Sequence, residues 1–257
     1  MLSIDLTGQV ALVVGGSRGI GGGITETLAQ AGAQVVFTHT GEPAREEAVA
    51  AFLSRLQEAG GSTAGIVLDA CDTQATIALA DQIAAEHGGL DVLVHCVGQN
   101  RARLVESISR EEWQHFMDVN LTSAFNSVRA ALPHMVQAGR GRIILIGSSA
   151  VCDGGGGAVD YAAAKAGLHG MMMCLCRQYA RKGILTNLIH PCVVDTDLLR
   201  ERYSDAAGRA SLVSQVPVGR LGRPADIAGL VAFLASPWGD FICGQAILVD
   251  GGRTLFR

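Results

Sequence analysis

Seven apolar runs of strand length alternate with helix-period segments along this chain, and that rhythm limits the fold more than any other feature. The runs are 9–14, 34–38, 64–68, 90–94, 142–146, 185–189 and 246–249. The helical segments are 22–31, 44–59, 73–87, 110–137, 161–181 and 226–235. A strand, a crossover helix and another strand place successive strands parallel, with helices over both sheet faces. Strands covered on both faces read as near-continuous aliphatic runs, as QVALVV at 9–14 and RIILI at 142–146 do. Aromatic residues make up only 5% of the chain against 49% hydrophobic residues, so Ala, Val, Ile and Leu must build the core. No linker rich in Pro, Ser or charge divides the rhythm. The expectation is a single doubly wound α/β domain over 1–257 with a parallel seven-stranded sheet. Pro133 is expected to bend or break the long helix. The least regular stretch, 195–222, follows the sixth strand on the edge where such sheets bind ligands. It is expected to form a loop-helix lid over a substrate; an ordinary connecting helix is the alternative.

Several functional classes are disfavoured. A formal charge of -4 offers no basic stripe for nucleic acid. No apolar run approaches the roughly 18 residues that suggest a membrane span. Met1–Thr7 lacks the basic-then-apolar pattern of a signal peptide. The seven cysteines include no CxxC pair, so no metal site is expected, and they read as reduced core residues of a cytoplasmic protein.

The first strand runs directly into Val14-Gly-Gly-Ser-Arg-Gly-Ile-Gly21, which opens the first helix. Gly15 permits a sharp turn. Gly19 and Gly21 remove side chains where backbone must approach a pyrophosphate, and the helix N-terminus offers N–H groups to the anion. This junction predicts a dinucleotide site. An acid at the end of the second strand would bond an adenosine ribose 2′-hydroxyl; here Thr38-His39-Thr40 precedes the first acid, Glu42. Arg18 inside the glycine turn can reach a 2′-phosphate. NADP(H) is therefore the expected cofactor. Asp69 and Ala70, after the third strand, are placed to touch adenine; Asp69 can instead cap the segment that follows.

Tyr161-Ala-Ala-Ala-Lys165 puts a phenol and an ammonium on one helix face. A phenol titrates near pH 10, and a neighbouring ammonium favours its anion. Ser148, at the end of the fifth strand, can hold a substrate oxygen. Asn120 lies mid-helix, where its amide competes with backbone, which favours a functional role.

With these residues in place the chain resembles the short-chain dehydrogenase/reductase family in its single-domain form. The resemblance rests on Gly15…Gly19-Ile20-Gly21, Asn120, Ser148 and Tyr161-xxx-Lys165. It extends to Arg220-Leu-Gly-Arg-Pro224, Phe241-Ile-Cys-Gly-Gln245 and Val249-Asp-Gly-Gly252. It implies a Rossmann-type sheet of order 3-2-1-4-5-6-7 and a catalytic set of Asn120, Ser148, Tyr161 and Lys165. In that set Tyr161 protonates the carbonyl oxygen as hydride arrives. Ser148 polarises the carbonyl, Lys165 holds the nicotinamide ribose and lowers the tyrosine pKa, and Asn120 supports a relay water. The implied cofactor contacts are Gly15, Ser17, Arg18, Gly19, Ile20, Gly21, His39, Thr40, Asp69, Ala70, Cys96, Gly98, Tyr161, Lys165, Pro191, Val194 and Thr196. Family members usually form homotetramers through the helices matching 110–137 and 161–181. The chain departs from the pattern at Val14, at His95-Cys96-Val97-Gly98 and at Cys192. His95 can replace a missing amide contact or be a simple buried histidine. Cys192 is expected near the nicotinamide pocket.

The resemblance is closest to 3-oxoacyl-acyl-carrier-protein reductases, which implies an acyl-thioester or other small carbonyl substrate. A sugar, polyol or secondary-alcohol dehydrogenase is the alternative. A non-enzymatic dinucleotide sensor is disfavoured, because all four catalytic positions are kept. Arg140, Arg142, Arg177, Arg181 and Lys182 are candidates for docking an acyl carrier near the active-site rim. The stretch 153–160 (DGGGGAVD) is expected to line the substrate pocket, where its two acids suit a polar or cationic ligand.

Overall fold

The computed structural model describes residues 3–203 and 205–255. The extreme ends of the expected 1–257 domain, and Ser204 within the expected lid, lie outside the described residues. The strands are β1 Val10–Val14, β2 Gln34–His39, β3 Thr63–Val67, β4 Val92–His95, β5 Gly141–Ile146, β6 Ile184–Pro191 and β7 Ala246–Val249. They form one sheet of order β3-β2-β1-β4-β5-β6-β7. Every pairing is parallel, as the alternating sequence requires. The helices are α1 Gly19–Gln30, α2 Glu46–Glu58, α3 Thr73–His87, α4 Arg110–Met117, α5 Ser123–Ala138, α6 Ala150–Asp153, α7 Val159–Tyr179, α8 Asp197–Arg202, α9 Ala206–Ser214 and α10 Pro224–Ala235.

The period of two along each strand feeds two separate cores. Leu12, Leu93 and Leu145 face α3, α5 and α7 and pack with Leu79, Ile83, Met135, Leu168 and Met172. Ala11, Val13, Val92 and Val94 face the other way and pack with Ile24 and Leu28 of α1 and with Ile227 and Val231 of α10. Each large aliphatic side chain buried in this way stabilises the fold by roughly 1.5–3 kcal/mol. From β1 the chain winds outward to β2 and β3, then returns to β4 beside β1 and winds the other way. That reversal opens a crevice beyond the carboxyl ends of β1 and β4.

The long helix is interrupted, but not at Pro133. A π turn at Asp118–Thr122 separates α4 from α5, and α5 runs through Pro133 to Ala138. The proline removes one N–H donor, a loss the packed helix absorbs. Within the π turn, Asn120 Nδ2 donates to the Phe116 carbonyl at 2.9 Å.

Cys96 packs against the core, but the other cysteines are not core residues. All seven are free thiols; Cys152 and Cys174 are exposed and the other five are partly exposed. On α7 the sheet-facing positions belong to Leu168, Met172 and Leu175, which turns Cys174 outward. No helix among the described residues is long and apolar enough to cross a membrane.

Candidate active site

The glycine turn is built against its own backbone and against β2. Gly15 adopts φ +80° and Gly19 φ +53°, conformations that disfavour side chains. The Gly15 and Gly16 N–H groups donate to Thr38 Oγ1 and O at 3.1 and 3.0 Å. Thr25 Oγ1 closes the turn by donating to Gly16 O at 2.9 Å. A Cβ on Gly21 would lie 2.0 Å from Gly15 O. The absent side chain of Gly21 therefore lets α1 pack on the turn, rather than clearing space for a ligand as the sequence suggested. Arg18, the N-cap of α1, makes no side-chain cap, and no acid occupies the first helical turn. These features leave a concave backbone and a positive helix end, which fit the pyrophosphate of a dinucleotide.

One cleft of about 370 Å³ starts at this turn and runs to α7. Gly15, Ser17, Arg18, Gly19, Ile20, Gly21, His39, Thr40, Asp69, Ala70, Cys96, Gly98, Tyr161, Lys165 and Thr196 all line it. Pro191 and Val194 do not. The Pro191 carbonyl accepts the Ser149 N–H, and Val194 bridges to Gly222, so both brace the loops around the cleft. Asp69 Oδ1 accepts the Cys71 N–H at 2.9 Å, a turn-forming contact made while the residue lines the cleft. Thr196 Oγ1 accepts the Leu199 N–H as the N-cap of α8. Of the stretch 195–222, which forms α8 and α9, Thr196 and Asp197 reach the cleft.

At the α7 end, burial pushes the Tyr161 phenol up from its ordinary value, and the neighbouring Ser148 hydroxyl pulls the other way. The expected lowering by Lys165 is absent. Lys165 Nζ donates to the carbonyls of Val97 and Ile146 at 2.9 and 3.1 Å, so it is held by backbone. Burial also pulls Lys165 down to about 8, which weakens its positive field. Asn120 spends its amide on the backbone as well: Nδ2 donates to Gln99 O and Phe116 O, and Oδ1 accepts the Gln99 N–H at 3.0 Å. Gly98 is the point where these groups converge, since a Cβ there would lie 3.0 Å from Asn120 Oδ1 and 3.1 Å from Lys165 Nζ.

The departures from the family pattern have structural explanations. His95 is fully buried, with Nδ1 and Nε2 each 3.1 Å from the hydroxyls of Ser127 and Ser123. Burial pulls its pKa down to about 3, so it is a neutral link between β4 and α5. Cys192 Sγ accepts from Arg253 Nη1 at 3.1 Å and does not line the cleft.

Three supporting contacts escaped the sequence reading. Thr38 anchors the glycine turn, a role its alternation in β2 does not reveal. His190 Nδ1, on β6, accepts the Ser148 N–H at 3.0 Å and seats Ser148. The third is an ion pair. Asp160, with no exposed surface, accepts the Tyr161 N–H on Oδ1 at 2.8 Å and Arg103 Nη2 on Oδ2 at 2.6 Å. Asp160 is thus committed to Arg103 and unavailable to a cationic substrate. The proposed docking arginines are also displaced from the rim. Arg140 and Arg142 flank the start of β5, opposite the cleft, and pair with Asp91 and Asp240. Arg177, Arg181 and Lys182 lie at or beyond the far end of α7 from Tyr161.

A family model described as enoyl-(acyl carrier protein) reductase matches residues 14–254. The 3-oxoacyl-[acyl-carrier-protein] reductase FabG of Escherichia coli (strain K12) is 39% identical over 252 residues, 98% of this chain and 100% of that protein.

The chain belongs to the short-chain dehydrogenase/reductase family.

This family member is 36% identical to the FabG reductase of Pseudomonas aeruginosa, again over 98% of its own length and 100% of the relative's. Among solved structures, a gluconate 5-dehydrogenase from Burkholderia cenocepacia J2315, in complex with NADP and tartrate, superposes with a TM-score of 0.90 at 33% identity. That match covers 98% of this chain and 97% of the other. The dehydrogenase/reductase described here is accordingly a nicotinamide-dependent oxidoreductase close to the 3-oxoacyl-acyl-carrier-protein reductases.

Proposed function

We propose that this protein is an NADP(H)-dependent ketoreductase that interconverts a ketone and a secondary alcohol, with 3-oxoacyl thioesters as its substrate class. The observation that carries the reading is Tyr161, with Ser148 beside it, set with Lys165 in the cleft that begins at the glycine turn. A nicotinamide held between the glycine turn and Lys165 would supply hydride for the carbonyl carbon. Tyr161 gives its proton to the carbonyl oxygen, and Ser148 donates a hydrogen bond to the same atom. Raising the phenol pKa by burial keeps the proton on Tyr161 until the developing alkoxide draws it off. Lys165 would hold the nicotinamide ribose hydroxyls. Asn120 fixes the 98–100 backbone through Gln99 and so positions the wall opposite Tyr161. A hydroxyl pair aimed at one oxygen supports carbonyl reduction over the carbon–carbon double-bond reduction named in the matching family model.

NADP(H) is supported by Arg18, which is exposed and has no ion-pair partner among the described residues. Glu42, the acid just after β2, is held by Arg45 at 2.9 Å and by Thr40 at 3.3 Å. A second reading, a sugar or polyol dehydrogenase, is favoured by a hollow that adjoins the cleft and is lined by Gln99, Asn100, Arg101, Glu111 and His115. A cytoplasmic homotetramer paired through α5 and α7 is the proposed assembly, because Phe125, Val136 and Met173 are exposed on those helices.

The test is steady-state turnover of acetoacetyl thioesters, α-ketoesters and keto-sugars with NADPH and NADH. Preferred use of NADPH with the acetoacetyl thioester is expected. Exclusive turnover of keto-sugars would select the second reading, and a clear NADH preference would remove the cofactor assignment.

A further inference from the structure

Two of the seven thiols are paired in space although distant in sequence. Cys176 Sγ and Cys243 Sγ lie 2.9 Å apart, closer than van der Waals contact between two sulfur atoms. Both residues are partly exposed. Cys176 sits in the last turns of α7, the helix that also carries Tyr161 and Lys165. Cys243 sits in the connection that enters β7.

The pairing is built from rigid parts on both sides. The connection is held by three bonds: Asn187 Nδ2 donates to Ile242 O at 2.8 Å, the Gln245 N–H donates to Asn187 Oδ1 at 3.1 Å, and the Gly244 N–H donates to Thr186 O at 2.8 Å. Gly244 adopts φ +71°, and a Cβ there would lie 3.1 Å from Cys176 Sγ. The glycine leaves room for the Cys176 thiol to approach its partner. A disulfide needs sulfur atoms about 2.05 Å apart, so closure asks for a shift of less than about 1 Å.

We infer that Cys176 and Cys243 form a reversible intrachain disulfide, a redox modification site that staples α7 to the sheet edge at β7. The oxidant is a hydroperoxide. One thiolate attacks the peroxide, its O–O bond breaks, a sulfenic acid forms, and the departing oxygen takes up the thiol proton to leave as water from hydrogen peroxide or as an alcohol from an organic hydroperoxide. The second thiolate attacks that sulfur, the S–O bond breaks, water leaves and the S–S bond forms. The two thiols lose two electrons and two protons, and the peroxide gains them. A dithiol reverses the step. The hydrogen bond between the two thiols, in which either can donate, and burial push Cys176 up to about 11. Little of Cys176 is then thiolate at neutral pH, so its oxidation should quicken as pH rises.

The full-length protein is treated with hydrogen peroxide at pH 8, alkylated and digested without reductant for mass spectrometry. The expected product is a Cys176–Cys243 linked peptide pair, two hydrogens lighter than the free peptides and lost on dithiothreitol treatment. The linked protein should melt about 5–10 °C above the reduced protein. That difference should vanish in Cys176→Ser and in Cys243→Ser. Separately alkylated Cys176 and Cys243 after exposed Cys174 has been oxidised would overturn the inference. So would conversion of both to sulfinic acids without a link. Peptide mapping of the unaltered protein decides the matter even where a variant fails to fold, and it does not depend on the substrate.

Discussion

The Arg103–Asp160 pair sets a test in which single and double substitutions move stability in different amounts. Asp160 has no exposed surface, and the Arg103 side chain is 9% exposed. Their contact is single-ended, through Nη2 alone; Arg103 Nε and Nη1 are buried with no hydrogen-bond partner among the described residues. The guanidinium also lies 4.4 Å from the centre of the Phe116 ring. Two buried charges joined by one bond recover their desolvation cost incompletely, but removal of either one strands the other. Asp160→Asn retains an oxygen for the Tyr161 N–H and leaves Arg103 unpaired. It should cost about 3–5 kcal/mol, as should Arg103→Met. The double variant Arg103→Met/Asp160→Asn strands no charge and keeps an apolar chain over Phe116. It should cost only about 1–2 kcal/mol, giving a coupling energy of several kcal/mol. Urea unfolding of the four proteins at pH 7.5 measures the cycle. Additive costs, with coupling below about 0.5 kcal/mol, would refute the reasoning, because they would mean that water already screens the pair as it does at a surface.

Other outcomes follow from the same geometry. Tyr161→Phe should lower kcat by about 10²–10⁴ while leaving the NADPH dissociation constant within a few-fold, measured by nucleotide fluorescence; unchanged turnover removes Tyr161 as the acid. Arg18→Ala should raise the KM for NADPH by about tenfold to a hundredfold, a loss of about 1.5–3 kcal/mol in charge-assisted bonding, and leave the KM for NADH nearly unaltered. His95 gives a pH signature of defined sign. Its pKa is near 3 in the fold against 6.5 in the unfolded chain, so below pH 6.5 the unfolded chain binds the extra proton. Its contribution is fully present above pH 6.5 and is lost as pH falls toward 3, at about 1.4 kcal/mol per pH unit. Urea midpoints between pH 7 and pH 4 should fall more steeply for the parent protein than for His95→Gln.

The legibility of this chain divides along a physical line. The sheet was readable because parallel strands bury both faces, and burial writes itself as uninterrupted aliphatic runs such as RIILI in β5. The glycine turn was readable because φ +80° at Gly15 admits almost no other residue. What stayed hidden are contacts between positions far apart in the chain. Nothing near Asp160 announces that Arg103, fifty-seven residues earlier, will neutralise it. His190 beneath Ser148 and Cys176 against Cys243 are of the same kind. The misplaced helix break shows the converse. Proline carries a strong local rule, and α5 absorbs it at Pro133. The π turn at Asn120 has no such local sign, because it is stabilised by a side-chain bond to Gln99 outside the helix. The arginines near β5 were misassigned because sequence gives charge without giving the end of the sheet. Once β5 is known to run toward the cleft, Arg140 and Arg142 at its start must lie at the opposite edge.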